Sequence, residues 1–289
     1  MIVDLNGNHQ VVTEHLKLPS NLASLTAKAV LLIMECIKYP NVPAEVLNSL
    51  KGTSFLKTNM GFKTPSECFL YDPVWGCILE VFNGLPVINH KFYGEKIFSY
   101  KDELKKTGAV VDFKDAIKNF ASLFEQKASE ASINQKNVTS LLSCYRLLKG
   151  TDYSFPSDFS TIVCEMKWLH TAVDDFRCPR ECILYGPEWE SISSITFLPF
   201  IDYSEKRRGK RIHEYKAELK SIGVVTEFKD GVRFVPDCLK FPSDPWTIKP
   251  KSVFSLLECI RLLTQDHRLA VEEDFRKRLS ENWLRTHAG

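Results

Sequence analysis

The sequence predicts a helix-rich α+β chain: a tandem repeat of two units of roughly 110 residues with short strands, followed by a truncated third unit. Three observations predict it. Two long stretches answer each other residue by residue, one amphipathic helix recurs three times, and short apolar runs are cut by Pro and Gly.

The paired stretches run from Phe55 to Asp115 and from Trp168 to Asp230. Phe55-Leu56-Lys57-Thr58 answers to Trp168-Leu169-His170-Thr171, and Pro65-Ser66-Glu67-Cys68-Phe69-Leu70-Tyr71 to Pro179-Arg180-Glu181-Cys182-Ile183-Leu184-Tyr185. Trp75 matches Trp189, Leu85-Pro86 matches Leu198-Pro199, and Tyr100-Lys101-Asp102-Glu103-Leu104 matches Tyr215-Lys216-Ala217-Glu218-Leu219. A spacing kept over so many positions is the signature of a repeated structural unit.

Taken in order, residues 1–19 show no period and read as a tail or linker. A helix is expected from Ser20 to Tyr39, capped by Ser20 or Asn21, because Val30, Ile33, Met34 and Ile37 fall on one helical face. The same spacing returns at Val138, Leu141, Leu142 and Tyr145, and at Val253, Leu256, Leu257 and Ile260, with Cys36, Cys144 and Cys259 in register. A second helix is expected after each copy, beginning near Pro43, Asp158 and Val271. The expected division is therefore a first unit over 20–150, a second over 151–265, and the start of a third over 266–289, where Trp283-Leu284-Arg285-Thr286 repeats the Trp168 motif.

Within a unit, Cys68 to Tyr71 and Cys182 to Tyr185 read as short strands stopped by Asp72-Pro73 and Gly186-Pro187. Ile78 to Phe82 and Ile192 to Leu198 fit strand or helix. Lys96 to Lys106 and Arg211 to Lys220 read as helices closed by Gly108 and Gly223, the residue type that tolerates a left-handed C-cap. Ala109 to Phe113 and Val224 to Phe228 read as strands. Asp115 to Glu130 reads as a helix, and Pro236, Pro242, Pro245 and Pro250 forbid a long helix at the matching place in the second unit.

Charge argues against one class of function. The 38 basic and 36 acidic residues are interspersed and leave a net +2, which is no one-sided basic surface for nucleic acid. The exception is the run Lys206, Arg207, Arg208, Lys210 and Arg211, the candidate contact for phosphate or an acidic partner; its counterpart around Lys91 to Lys96 is far less basic. No apolar run is long enough to span a bilayer, so no membrane partner is expected. The first residues lack the features of a signal peptide, and nine cysteines fit reduced thiols, so a cytoplasmic or nuclear setting is expected.

The candidate chemistry is thin. The Cys178 and Cys182 pair lacks a second pair of zinc ligands, and Thr64 stands in the place of Cys178 in the first unit. Glu67 and Glu181 recur, but no His or second carboxylate recurs beside them. His90, His170, His213 and His267 have no counterparts. The 13 glycines form no phosphate-binding loop of either common pattern. No enzyme activity, cofactor, metal or catalytic residue is expected.

The order Trp-Leu-x-Thr, then Pro-x-Glu-Cys-hydrophobic-Leu-Tyr-x-Pro-x-Trp, then Leu-Pro-x-Ile, then Tyr-x-x-Glu-Leu resembles the repeated C-terminal region of plant sacsin-like proteins of the NO VEIN group. The resemblance covers the chain from about Ser20 onward. Members of that group carry a histidine-kinase/Hsp90-like ATPase fold near their N-terminus, so the resemblance implies a chaperone-related segment downstream of the ATPase. This chain has none of that fold's Asp-x-Gly-x-Gly nucleotide segment, and Asp4-Leu5-Asn6-Gly7 and Asp230-Gly231 are no substitutes. The function expected is a non-catalytic scaffold for protein partners, with ATP or nucleic-acid binding through residues 206–211 as the alternative.

Overall fold

The computed structural model describes residues 25–39, 42–201, 209–265, 273–280 and 283. The expected tail over 1–19, the expected caps Ser20 and Asn21, and Lys206, Arg207 and Arg208 lie outside the described residues. The chain is helix-rich with a few short strands. It divides into two units: residues 1–123 with 147–154, and residues 124–146 with 155–289. Residues 124–146, which the sequence places in the first unit, group with the second.

The first unit opens on helix α1 (Ala27–Ile37), capped by the Thr26 hydroxyl, which accepts from the Ala29 amide at 3.3 Å. The first described turn of this helix thus starts at Ala27. Val30, Ile33, Met34 and Ile37 are buried, as their spacing predicts. Helix α2 (Ala44–Lys51) follows Pro43, whose fixed φ suits a helix start. A hairpin comes next, β1 (Leu56–Thr58) and β2 (Gly61–Lys63), paired antiparallel with Leu56 opposite Lys63. The sequence reading missed it, because three-residue strands are too short to show an alternating pattern.

The segment after the turn Pro65–Glu67 is the centre of the unit. Phe69 bridges Val87 and Val110, parallel on both sides. Its amide donates to the Pro86 carbonyl at 2.9 Å and its carbonyl accepts from the Ile88 amide at 2.8 Å. The Leu70 amide reaches the Val110 carbonyl and the Val110 amide reaches the Cys68 carbonyl, at 2.8 and 2.9 Å. Thr58 bridges Ile88 antiparallel, which joins the hairpin to the same set. The expected strands at 68–71 and 109–113 are therefore single-residue bridges, and Phe113 already belongs to the next helix.

Helices fill the gaps between these bridges. They are α3 (Cys77–Val81), α4 (His90–Tyr93) and a 3₁₀ stretch, Glu95–Tyr100, that runs into α5 (Lys101–Thr107). Gly108 ends α5 at φ 103°, and the Ala109 amide then closes on the Leu104 carbonyl at 2.9 Å. Asp112 caps the next helix, α6 (Phe113–Ser129), by accepting from the Asp115 amide at 3.0 Å. Residues from α1, α2, β1, the 68–70 segment, α4 and α5 close one apolar core.

In the second unit, helix α7 (Gln135–Leu148) begins with a reciprocal pair: Asn134 and Asn137 each accept the other's amide at 3.1 Å. Helix α8 (Ser157–Glu165) follows Pro156, and strands β3 (Leu169–His170) and β4 (Phe176–Arg177) form a second hairpin. Ile183 bridges Phe200 and Val225, parallel on both sides, and Thr171 bridges Ile201 antiparallel. A 3₁₀ stretch, Gly209–Tyr215, runs into α9 (Lys216–Ser221). Short pieces α10 (Phe228–Gly231) and α11 (Val235–Cys238) stand where Pro236 forbids a long helix. Helix α12 (Pro250–Gln265) and α13 (Glu273–Leu279) complete the described chain.

Two glycines are tied to this backbone for different reasons. At Gly108 the neighbours leave 3.9 Å around an added Cβ, so the cost of Gly108→Ala lies in the backbone, about 1–2 kcal/mol. At Gly231 an added Cβ would lie 2.6 Å from the ring of Trp189, which is fully buried. Gly231→Ala is expected to cost about 1–3 kcal/mol through overpacking. Urea unfolding checks both, and Gly108→Asn is expected to recover part of the first loss, since Asn tolerates positive φ.

Candidate functional site

The basic run singled out by the sequence is only partly visible. Lys206, Arg207 and Arg208 lie outside the described residues. Lys210 and Arg211 fall within the 3₁₀ stretch Gly209–Tyr215. That stretch leads through buried Ile212 to Tyr215, so the run enters the fold one turn before α9.

What the described residues bring together is a link that recurs. In the first unit the Tyr100 hydroxyl, at the start of α5, donates to Glu35 Oε2 on α1 at 2.7 Å. Burial, and then the bond to Glu35, pushes the Tyr100 phenol above its usual range. In the second unit Tyr215, at the start of α9, shares a hydrogen bond of 2.6 Å with Ser143 on α7. Arg146, one turn further along α7, grips Glu218 with Nε and Nη2 at 3.0 and 2.8 Å. Its guanidinium also lies 4.4 Å from the centre of the Tyr215 ring and donates to the Glu214 carbonyl. Both tyrosines and Glu218 stand in the repeated Tyr-x-x-Glu-Leu motif. Their partners were missed: the position that receives the tyrosine holds Glu35 on one helix and Ser143 on the other, and Arg146 answers to Lys38.

The recurrent glutamate Glu67 does local work. It accepts from the Thr64 amide at 3.1 Å and from the Thr64 hydroxyl at 2.6 Å, a capping box on the turn Pro65–Glu67. The Thr64 hydroxyl bond, followed by the Thr64 amide, holds its carboxyl below the usual range. The thiols that follow are buried donors. Cys68 Sγ reaches the Thr64 carbonyl at 3.1 Å and Cys182 Sγ the Cys178 carbonyl at 3.4 Å. Burial pushes the Cys68 thiol up to about 12 and moves Cys182 in the same direction. Neither carries the thiolate that a nucleophile or metal ligand needs at neutral pH.

The histidines are dispersed. His170 Nε2 lies 3.1 Å from Asp174 Oδ1 with its ring edge-on to Phe176, His90 tilts against Phe98, and His213 is exposed. His267 lies outside the described residues. Trp75 and Trp189 are fully buried, packed against Phe113 and Phe228 respectively, so neither ring is a ligand platform. Among the described residues, no group of three or more His, Cys, Asp or Glu could hold a metal ion, and no helix is long and apolar enough to cross a membrane. Comparison with protein-family models, curated proteins and solved structures finds no match for this chain.

Two outcomes test this geometry. Iodoacetamide at pH 8 is expected to leave Cys68 and Cys182 unmodified in the folded protein and to modify both in urea, as read by peptide mass spectrometry. Tyr100→Phe is expected to cost about 1 kcal/mol at pH 7, the usual worth of such a hydrogen bond. Because folding raises the Tyr100 phenol, its contribution is complete below about pH 10 and is lost as pH rises further. Alkaline titration of unfolding should show a shallower decline in the Phe variant than in the parent.

Proposed function

We propose that the chain is a tandem array of two α+β units with the start of a third, serving as a non-catalytic scaffold for protein partners. The observation that carries the reading is the agreement in backbone pairing. Phe69 with Val87 and Val110, and Thr58 with Ile88, have the same sense and order as Ile183 with Phe200 and Val225, and Thr171 with Ile201. A third unit draws support from two tryptophans: Trp168 Nε1 donates to the Val163 carbonyl and Trp283 Nε1 to the Leu279 carbonyl, each at 2.8 Å. Each ties the motif to the helix before it.

The scaffold reading rests further on where the distinctive polar side chains go. Glu67, Tyr100, Tyr215 and Glu218 are spent on holding the fold, and the repeated thiols are buried. Units of this kind present surface rather than a reactive cleft. By the resemblance to the sacsin-like group, the scaffold acts in the cytoplasm or nucleus as the partner- or client-handling part of a chaperone-related protein. The resemblance assigns the ATP site to a different domain.

Calorimetry with ATP and Mg²⁺ is expected to give no binding heat from the folded chain, with circular dichroism confirming that it is folded. Saturable micromolar binding would sink the scaffold reading. The basic run is tested separately with single-stranded nucleic acid: a steep loss of binding with salt, abolished by Arg207→Glu with Arg208→Glu, would favour the phosphate-binding alternative.

A further inference from the structure

Three helices carry the same spacing, but they differ on the face that bears the tyrosine link. Met34 on α1 and Leu142 on α7 occupy one place in the pattern, and both are 0% exposed. Leu257 on α12 occupies that place and is 45% exposed, while Phe254, one turn before it, is 70% exposed. Glu258 stands where Glu35 and Ser143 receive their tyrosines, and Arg261 stands where Arg146 grips Glu218. With no tyrosine helix against them among the described residues, Glu258 and Arg261 hold each other, at 2.8 and 2.5 Å, both in contact with solvent.

The opposite face of α12 is fully used. Leu256, Cys259 and Leu263 are buried in the core that contains Trp189 and Ile192, and Ser252 is buried beside them on the chain. The Ser252 hydroxyl also meets the Ser194 hydroxyl at 2.9 Å. The outward face therefore combines two large apolar side chains with a carboxylate at the place of Glu35 on α1 and a guanidinium at the place of Arg146 on α7.

We infer that this face of α12, comprising Phe254, Leu257, Glu258 and Arg261, is a docking surface for a helix bearing Tyr-x-x-Glu-Leu. The inference rests on the tandem-repeat reading. The complementarity is specific: Glu258 accepts the tyrosine hydroxyl as Glu35 does, and Arg261 exchanges its partner on the same helix for the incoming glutamate, as Arg146 holds Glu218. Phe254 and Leu257 lose their contact with water against the incoming helix, at about 25 cal/mol per Å² of apolar surface covered. The occupant is a unit of this chain's own kind.

The test supplies that occupant. A copy of residues 172–265 is appended after Thr286 of the full chain, so that the chain's own Trp283-Leu284-Arg285-Thr286 leads into it. Leu257→Cys reports on the face through its alkylation rate, read peptide by peptide. The expected result is a fall of about tenfold or more on appending the copy, since a covered residue reacts only through local opening. Arg261→Glu should restore the reactivity, and Glu218→Arg in the appended copy alone should cover the site again.

An appended copy that adds no helical signal, or that folds and leaves L257C reactive, overturns the inference. Concentration-dependent protection in the parent chain also overturns it, because the face would then be covered by a second copy whose own tyrosine helices are already engaged. The repeat reading has its own control in the parent chain: Arg146→Glu should destabilise and Glu218→Arg should compensate. If that pair compensates while α12 remains uncovered, the repeat reading stands and the docking inference alone falls.

Discussion

Both units depend on one constraint, the satisfaction of both edges of a single extended residue. Phe69 and Ile183 are buried, and a buried backbone must place its amide and carbonyl on partners. Each does so toward the Leu-Pro segment on one side, and its chain neighbours do so toward the segment after the αL glycine on the other. The order of everything else follows. Leu-Pro must return beside the Cys-x-Leu segment, the tyrosine helix must then cross back, and Gly108 or Gly223 must turn the chain sharply enough for Val110 or Val225 to pair. The glycine needs positive φ because the Ala109 or Val224 amide closes on the helix carbonyl while the next residue already enters a bridge.

The helices were the legible part of this fold. Val30, Ile33, Met34 and Ile37, and their counterparts on α7, declare a face that burial then uses. The broken second copy of α6 could be read from Pro236, and the helix stops from Gly108 and Gly223. The β structure was legible only in place, not in kind. A bridge one residue long has no period, so Cys68 to Tyr71 reads as a strand although only Phe69 makes the bridges. Ile78 to Phe82 is apolar at nearly every position, which leaves helix and strand equal on pattern alone; it is helix from Cys77.

The candidate site divided in the same way. Tyr100, Tyr215 and Glu218 stood out because their motif repeats, whereas the place that receives the tyrosine holds Glu35 on α1 and Ser143 on α7. A tyrosine hydroxyl is content with a carboxylate or another hydroxyl. The position is therefore kept by geometry, not residue identity, and residue-by-residue comparison passes over it. The basic run had the opposite fate. Its charge is conspicuous in the sequence, but Lys206, Arg207 and Arg208 fall outside the described residues, and the geometry that is described belongs to the tyrosine a few residues later.

Glu35 at one tyrosine and Ser143 at the other give the two units different electrical characters. The first is tied by a hydroxyl bonded to a carboxylate. The second is tied by a neutral hydroxyl pair reinforced by a guanidinium–carboxylate bridge with its guanidinium open to solvent. Ionic strength acts weakly on a hydrogen bond in which at least one group is neutral and more strongly on a pair of opposite charges that solvent reaches. A rise in salt is then not one perturbation of this chain but two unequal ones. The two units can in this way answer the same solution differently, each through the side chain that receives its tyrosine.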